Sequence, residues 1–112
     1  TEPNAFHAIR AAVTRNVYHE DFYKVEKLQD PDDPKYLLNP DERVTVKDMV
    51  KAYTVNAAYA LHLEDEIGSL EIGKKADTIV IDRDVFNTPS LEISDIKVIR
   101  TVFDGKIVYE RA

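Results

Sequence analysis

The sequence predicts an α+β fold, and three observations carry that prediction. Two stretches in the first half of the chain repeat apolar residues at helical spacing, a short run after Ala76 alternates as a strand, and near the end two β-rich runs meet at Asp104-Gly105.

In chain order, the first element is a helix over Ala5 to Arg15, where Phe6, Ile9, Ala12 and Val13 share a face and Asn4 is placed to cap the start. The following stretch, 16–43, is polar and interrupted by Pro31, Pro34 and Pro40, which stop helices and strands. Its scattered apolar residues return too little on burial to offset the entropy of ordering it. It therefore needs hydrogen bonds or a docking surface, with a turn or two of helix expected around Tyr18 to Lys27. The clearest helix begins after Thr45, a good N-cap with Asp48 three residues on and with Val44 and Met49 placed to staple across it. Val46, Met49, Val50, Tyr53, Ala57, Ala60 and Leu61 then form one apolar face, which calls for a large neighbour. Gly68 and Gly73 bracket a turn region. In the strand that follows, Ile79 and Ile81 take one face and Thr78 and Val80 the other, so burial from both sides is expected. Asp104-Gly105 supplies the two positive φ angles of a type I′ hairpin turn. A sheet of at most three strands is marginal without a second layer, and the missing layer is expected upstream.

Composition narrows the function. A chain of 112 residues, 44% apolar, holds one domain with a modest core and is too short for a barrel enzyme. With 15 basic against 21 acidic residues and a formal charge of -6, it has no electrostatic reason to bind nucleic acid or an anionic membrane. Cysteine is absent, which excludes disulfides, thiolate metal sites and cysteine nucleophiles and suits a cytoplasmic location. There is neither a membrane-spanning apolar run nor a signal-peptide pattern. The first residue is Thr1 and the one methionine is Met49, so a preceding segment is expected.

No catalytic constellation emerges from the residues themselves. His7, His19 and His62 lie far apart and form no histidine pair that could share a metal. His19-Glu20-Asp21 reads as a solvated charged stretch, and His62 as a cation meeting the last carbonyls of the long helix. Asp77 and Asp82 fall on opposite faces of a strand and cannot act as an acid/base pair; Asp77 is expected to accept from the amides of the preceding turn. Gly73-Lys74 lacks the order of a phosphate-binding loop and is followed by a strand rather than a helix. Thr14 and Arg15 have no visible partner base.

Three motifs in succession resemble the C-terminal end of the metal-dependent amidohydrolase superfamily: TVNAAYAL at Thr54 to Leu61, IGSLEIGKKADTIVID at Ile67 to Asp82, and VFDGKIVYE at Val102 to Glu110. AFHAIRAAVTR, at Ala5 to Arg15, resembles the helix after the eighth barrel strand in the amidohydrolase 3, exoenzyme-regulatory-like branch. The resemblance implies terminal helices of a (β/α)8 barrel, a TIM barrel, followed by the C-terminal strands of a small β-sandwich. This urease-like composite domain would be incomplete without its N-terminal part. It divides the chain into the last barrel helix (1–15), a long insertion (16–43), a helix packing on the barrel (44–66) and the sandwich strands (67–112). It also implies hydrolysis of non-peptide C-N bonds by metal-activated water, with a divalent metal, expected to be zinc, held by residues upstream of Thr1. The stretch Pro3 to His7 would follow the last barrel strand and its catalytic aspartate. Glu2, Asn4 and His7 are then the expected substrate-proximal residues, with no catalytic residue or metal ligand in the segment itself.

The segment is thus expected to be structural, and inactive alone, with the rest of the same protein or another copy as its partner. A rival reading is a noncatalytic assembly or oligomerisation module that pairs its strands with a second chain. A third, a metal-binding protein using His19, predicts zinc uptake by the 112 residues.

Overall fold

The computed structural model describes residues 4–16 and 29–112, which fall into two units: residues 1–49 with 85–95, and residues 50–84 with 96–112. The helix expected around Tyr18 to Lys27 and the cluster His19-Glu20-Asp21 lie outside the described residues.

The first unit is built on α1, Ala5–Thr14. Asn4 caps it as expected, its Oδ1 accepting from the Phe6 amide at 3.0 Å. Arg15 ends it in the left-handed region, φ 57, with its amide returning to the Ala11 carbonyl at 2.8 Å. The buried face differs from the expected one. Phe6 and Ile9 are buried, but Arg10 and Thr14 join them while Ala12 and Val13 are half-buried. Thr14 tolerates burial because its hydroxyl donates to the Arg10 carbonyl at 2.8 Å and accepts from the Asn16 amide at 3.1 Å. Against α1 packs the 3-10 turn Ser90–Asp95, whose Ile93 is fully buried.

The strap 29–44 is held largely by hydrogen bonds, while Tyr36 and Leu37 stay half-buried and Leu38 is exposed. Arg43 donates from Nε to the Thr14 carbonyl at 3.0 Å and from Nη2 to the Pro31 carbonyl at 3.0 Å, and pairs with Asp32 at 2.7 Å. Arg15 and Leu38 exchange bonds, amide to carbonyl at 3.1 Å and guanidinium to carbonyl at 3.2 Å, and the Val44 amide reaches the Ala12 carbonyl. These donors satisfy carbonyls that the end of α1 leaves open. Pro40 sits in the 3-10 turn Pro40–Glu42, as its fixed φ favours.

The long helix expected after Thr45 is two helices: α2, Val46–Tyr53, and α3, Val55–Ala60. Thr45 caps α2, its hydroxyl accepting from the Asp48 amide at 3.1 Å. The break falls at Thr54 because its hydroxyl takes the Val50 carbonyl, at 2.7 Å, that its own amide would use in a continuous helix. The Thr54 amide turns instead to Lys51. α3 closes in a Schellman motif: the Leu63 amide reaches Ala58 and the His62 amide reaches Tyr59, with His62 left-handed at φ 58. His62 therefore serves the helix end through its backbone, rather than as the expected side-chain cation.

Gly68, at φ +98, lies so close to this junction that a Cβ on it would stand 2.7 Å from the Ala58 Cβ and 3.3 Å from the Thr54 carbonyl oxygen. The chain then enters a three-stranded antiparallel sheet of order β1-β2-β3, with β1 Thr78–Ile81, β2 Val98–Phe103 and β3 Lys106–Glu110. The hairpin turns at Asp104 (φ 49) and Gly105 (φ 79), between the paired Phe103 and Lys106, as a type I′ turn requires. Pairing places Thr78, Val102 and Ile107 on one face and Ile79, Thr101 and Tyr109 on the other. Ile99 and Val108 are the extra residues of two bulges.

Two substitutions test the glycine contact and the helix end. Gly68→Ala loses about 2 kcal/mol or more of stability through overpacking and left-handed strain. His62→Gly gains up to about 1 kcal/mol by relieving its left-handed conformation. Urea denaturation midpoints, read on the same chain, check both.

Candidate functional site

Two aspartates in the second unit hold the backbone. Asp77 accepts at Oδ1 from the Asp104 amide at 2.8 Å, and the neighbouring Ala76 carbonyl accepts from the Gly105 amide at 3.0 Å. Asp77 thus binds a turn, but the hairpin turn rather than the preceding one, because strand pairing brings that distant turn against it. Asp82 accepts from the Lys97 amide at 3.1 Å while its own amide donates to the Lys97 carbonyl. That backbone bond, ahead of the neighbouring Arg83, holds the Asp82 carboxyl below the usual aspartate range.

From Gly68 to Lys74 the sequence spaces Ser69, Glu71 and Lys74 so that they close into one network. The Ser69 hydroxyl donates to Glu71 at 2.6 Å, and Lys74 Nζ reaches the Ser69 oxygen at 2.9 Å and Glu71 at 3.0 Å. The ammonium is engaged inside the turn by Ser69 and Glu71. The Ser69 bond first, then Lys74, lowers the Glu71 pKa. Outside this ring Leu70 and Ile72 stand in solvent. The S-x-E-x-x-K spacing was available in the sequence as a signal for the network; the partners of Arg43 and Arg15 had no comparable local signal.

At the other end of the chain, Asn4 and His7 occupy the N-cap and first turn of α1, both half-buried, while Glu2 lies outside the described residues. The Asn4 Oδ1 is engaged in the cap. Among the described residues no three His, Asp or Glu side chains converge to hold a metal, so these side chains do not fit a metal centre. None of the described helices is long and apolar enough to cross a membrane.

What the second unit offers instead is uncovered apolar surface. On one sheet face Val80 and Ile107 are exposed, and on the other Ile79, Phe103 and Tyr109. Tyr53, Tyr59 and Leu61 of the helical stretch are exposed as well, where a large neighbour was expected. Arg100 and Glu110, paired across β2 and β3, add a polar row beside Val80. Among the described residues the outer edges of β1 and β3 carry no further strand.

Comparison with known proteins gives this surface a context. The model of the amidohydrolase family matches residues 1–109. The chain is 42% identical over 74 residues to an N-substituted formamide deformylase of Arthrobacter pascens, covering 66% of this chain and 14% of that protein. It is 44% identical over 75 residues to a 5-methylthioadenosine/S-adenosylhomocysteine deaminase of Symbiobacterium thermophilum, covering 59% of this chain and 17% of that one. An imidazolonepropionase of Bdellovibrio bacteriovorus is 48% identical over 48 residues, 43% of this chain and 11% of the relative. The chain thus spans less than a fifth of the length of these relatives. No solved structure matches it.

The turn network carries its own pH dependence. A carboxylate whose pKa is lowered by folding stabilises the fold above its unfolded pKa, and that contribution is lost as pH falls through the lower, folded value. An NMR titration of Glu71 is expected to show a midpoint below the ordinary glutamate range, moving back towards it in Ser69→Ala.

Proposed function

The chain belongs to the amidohydrolase family, and on that footing we propose that it is the C-terminal part of a hydrolase acting on carbon-nitrogen bonds other than peptide bonds. The carrying observation is the apolar surface left open on both faces of the sheet, in a chain aligning with a small fraction of its relatives. A three-stranded sheet needs a second layer, and the proposed layer is the N-terminal barrel and sandwich half of the same protein. The names deformylase and deaminase both describe breaking a bond between carbon and nitrogen, which supports the reaction class.

In this reading the segment is structural, and its α1 end contributes to the substrate pocket. Glu2, Asn4 and His7 are the residues assigned there, Asn4 and His7 at the same end of α1. The family is generally metal-dependent; a divalent ion, zinc in the first instance, would polarise the scissile group from ligands outside this segment. The described residues hold no such ligand set, so no step at the metal is assigned to them. The absence of cysteine supports a cytoplasmic location.

The open outer edges of β1 and β3 favour one second reading, a noncatalytic module that completes its sheet with another copy. Metal analysis and a hydrolase screen with N-substituted formamides and amino-heterocycles, both on the full-length product, separate the two. The enzyme reading expects bound divalent metal and turnover, with His7→Ala lowering kcat/KM about tenfold while the fold is retained. A metal-free, inactive protein that self-associates through its strands would replace it with the second reading.

A further inference from the structure

The hairpin turn that organises β2 and β3 is also a chemically vulnerable dipeptide. In Asp-Gly the glycine amide has no side chain to hinder its approach to the preceding carboxyl, and here both residues are exposed to solvent. We propose that Asp104-Gly105 is a latent isomerisation site, which the fold holds shut with two hydrogen bonds.

The reaction needs no co-reactant beyond water. The Gly105 nitrogen bonds to the Asp104 side-chain carboxyl carbon, and one water leaves, made of the carboxyl oxygen and the protons it takes up. The resulting five-membered succinimide then regains one water. Opening at the former main-chain carbonyl gives isoaspartate, in which the chain runs through the side chain and gains one backbone methylene.

The native turn opposes the first step. The Gly105 amide hydrogen points at the Ala76 carbonyl, 3.0 Å away, so its nitrogen is not free to turn towards the Asp104 carboxyl. The Asp104 amide is held by Asp77 Oδ1 at 2.8 Å, which fixes the residue carrying that carboxyl at φ 49. Both bonds must open for the reactive geometry to form, and the side chain of Asp77 contributes one of them. Once formed, the extra methylene would not fit a turn of two residues closing the Phe103 to Lys106 pair, so the lesion would undo the hairpin register.

The test compares the intact chain within the full-length product with a synthetic peptide of residues 103–107, both incubated at physiological temperature and neutral pH. Isoaspartate at position 104 is quantified by peptide mapping and enzymatic methyl acceptance. The intact chain is expected to isomerise at least about tenfold more slowly than the peptide, the factor that two ordinary hydrogen bonds place on local opening. Asp77→Ala should accelerate it about fivefold, whereas Asp77→Asn, which keeps an oxygen acceptor, should not. Hydrogen exchange at the Gly105 amide should show lost protection in Asp77→Ala with β1-β2 amides still protected, separating local release from unfolding. Equal rates in chain and peptide, or an Asp77→Ala chain as slow as the parent, would overturn the proposal. The comparison of chain with peptide stands without any variant.

Discussion

Strands of four, six and five residues cannot hide both faces of the sheet they form, and that shortage governs the rest of the second unit. With Ile79, Val80, Phe103, Ile107 and Tyr109 exposed, burial is a weak source of local order here. Hydrogen bonds take its place at each change of direction. Lys74 closes the turn before β1, Asp77 and Ala76 hold the β2-β3 turn, and Asp82 binds the Lys97 backbone at the entry to β2. The Asp77, Ala76 and Asp82 bonds tie a side chain or carbonyl to backbone amides, while Lys74 closes its turn through the Ser69 and Glu71 side chains, and Ile96 and Ala58 are the buried apolar residues of this unit.

What could be read in the sequence was local chemistry. Asn4 and Thr45 cap helices because a short oxygen-bearing side chain reaches amides two or three residues on, and Asp104-Gly105 turns because glycine and aspartate tolerate positive φ. The two faces of β1 follow from strand alternation alone, and the observed register keeps them. The helix break at Thr54 was not legible, since apolar spacing runs through it unchanged and a single hydroxyl decides it. Arg43 finds carbonyls 12 and 29 residues away, and Asp77 an amide 27 residues away, distances no local pattern encodes. The buried face of α1 shifted for a related reason: Thr14 satisfies its own polar group and so costs little to bury.

The same division holds for the candidate site. Three ordered motifs made the family legible because turn, strand and hairpin chemistry together form a long pattern, and the family match covers nearly the whole chain. Individual residues were less legible: Asp77 was expected to accept from the turn before it and instead holds the Asp104 amide, while Ser69 and Asp82 find partners that were not named from the spacing. A carboxylate that accepts a backbone amide has a lowered affinity for protons, the direction found at Asp82.

The bulges at Ile99 and Val108 interrupt the ladders of a sheet whose faces are apolar and exposed. A regular edge strand is a template on which further copies can stack into fibrils. An extra residue in β3 kinks that edge and spoils the regular spacing of its outward amides, and Lys106 sets a charge at its start. Exposed apolar faces are thereby carried on strands that lack the straight ladder runaway aggregation would climb.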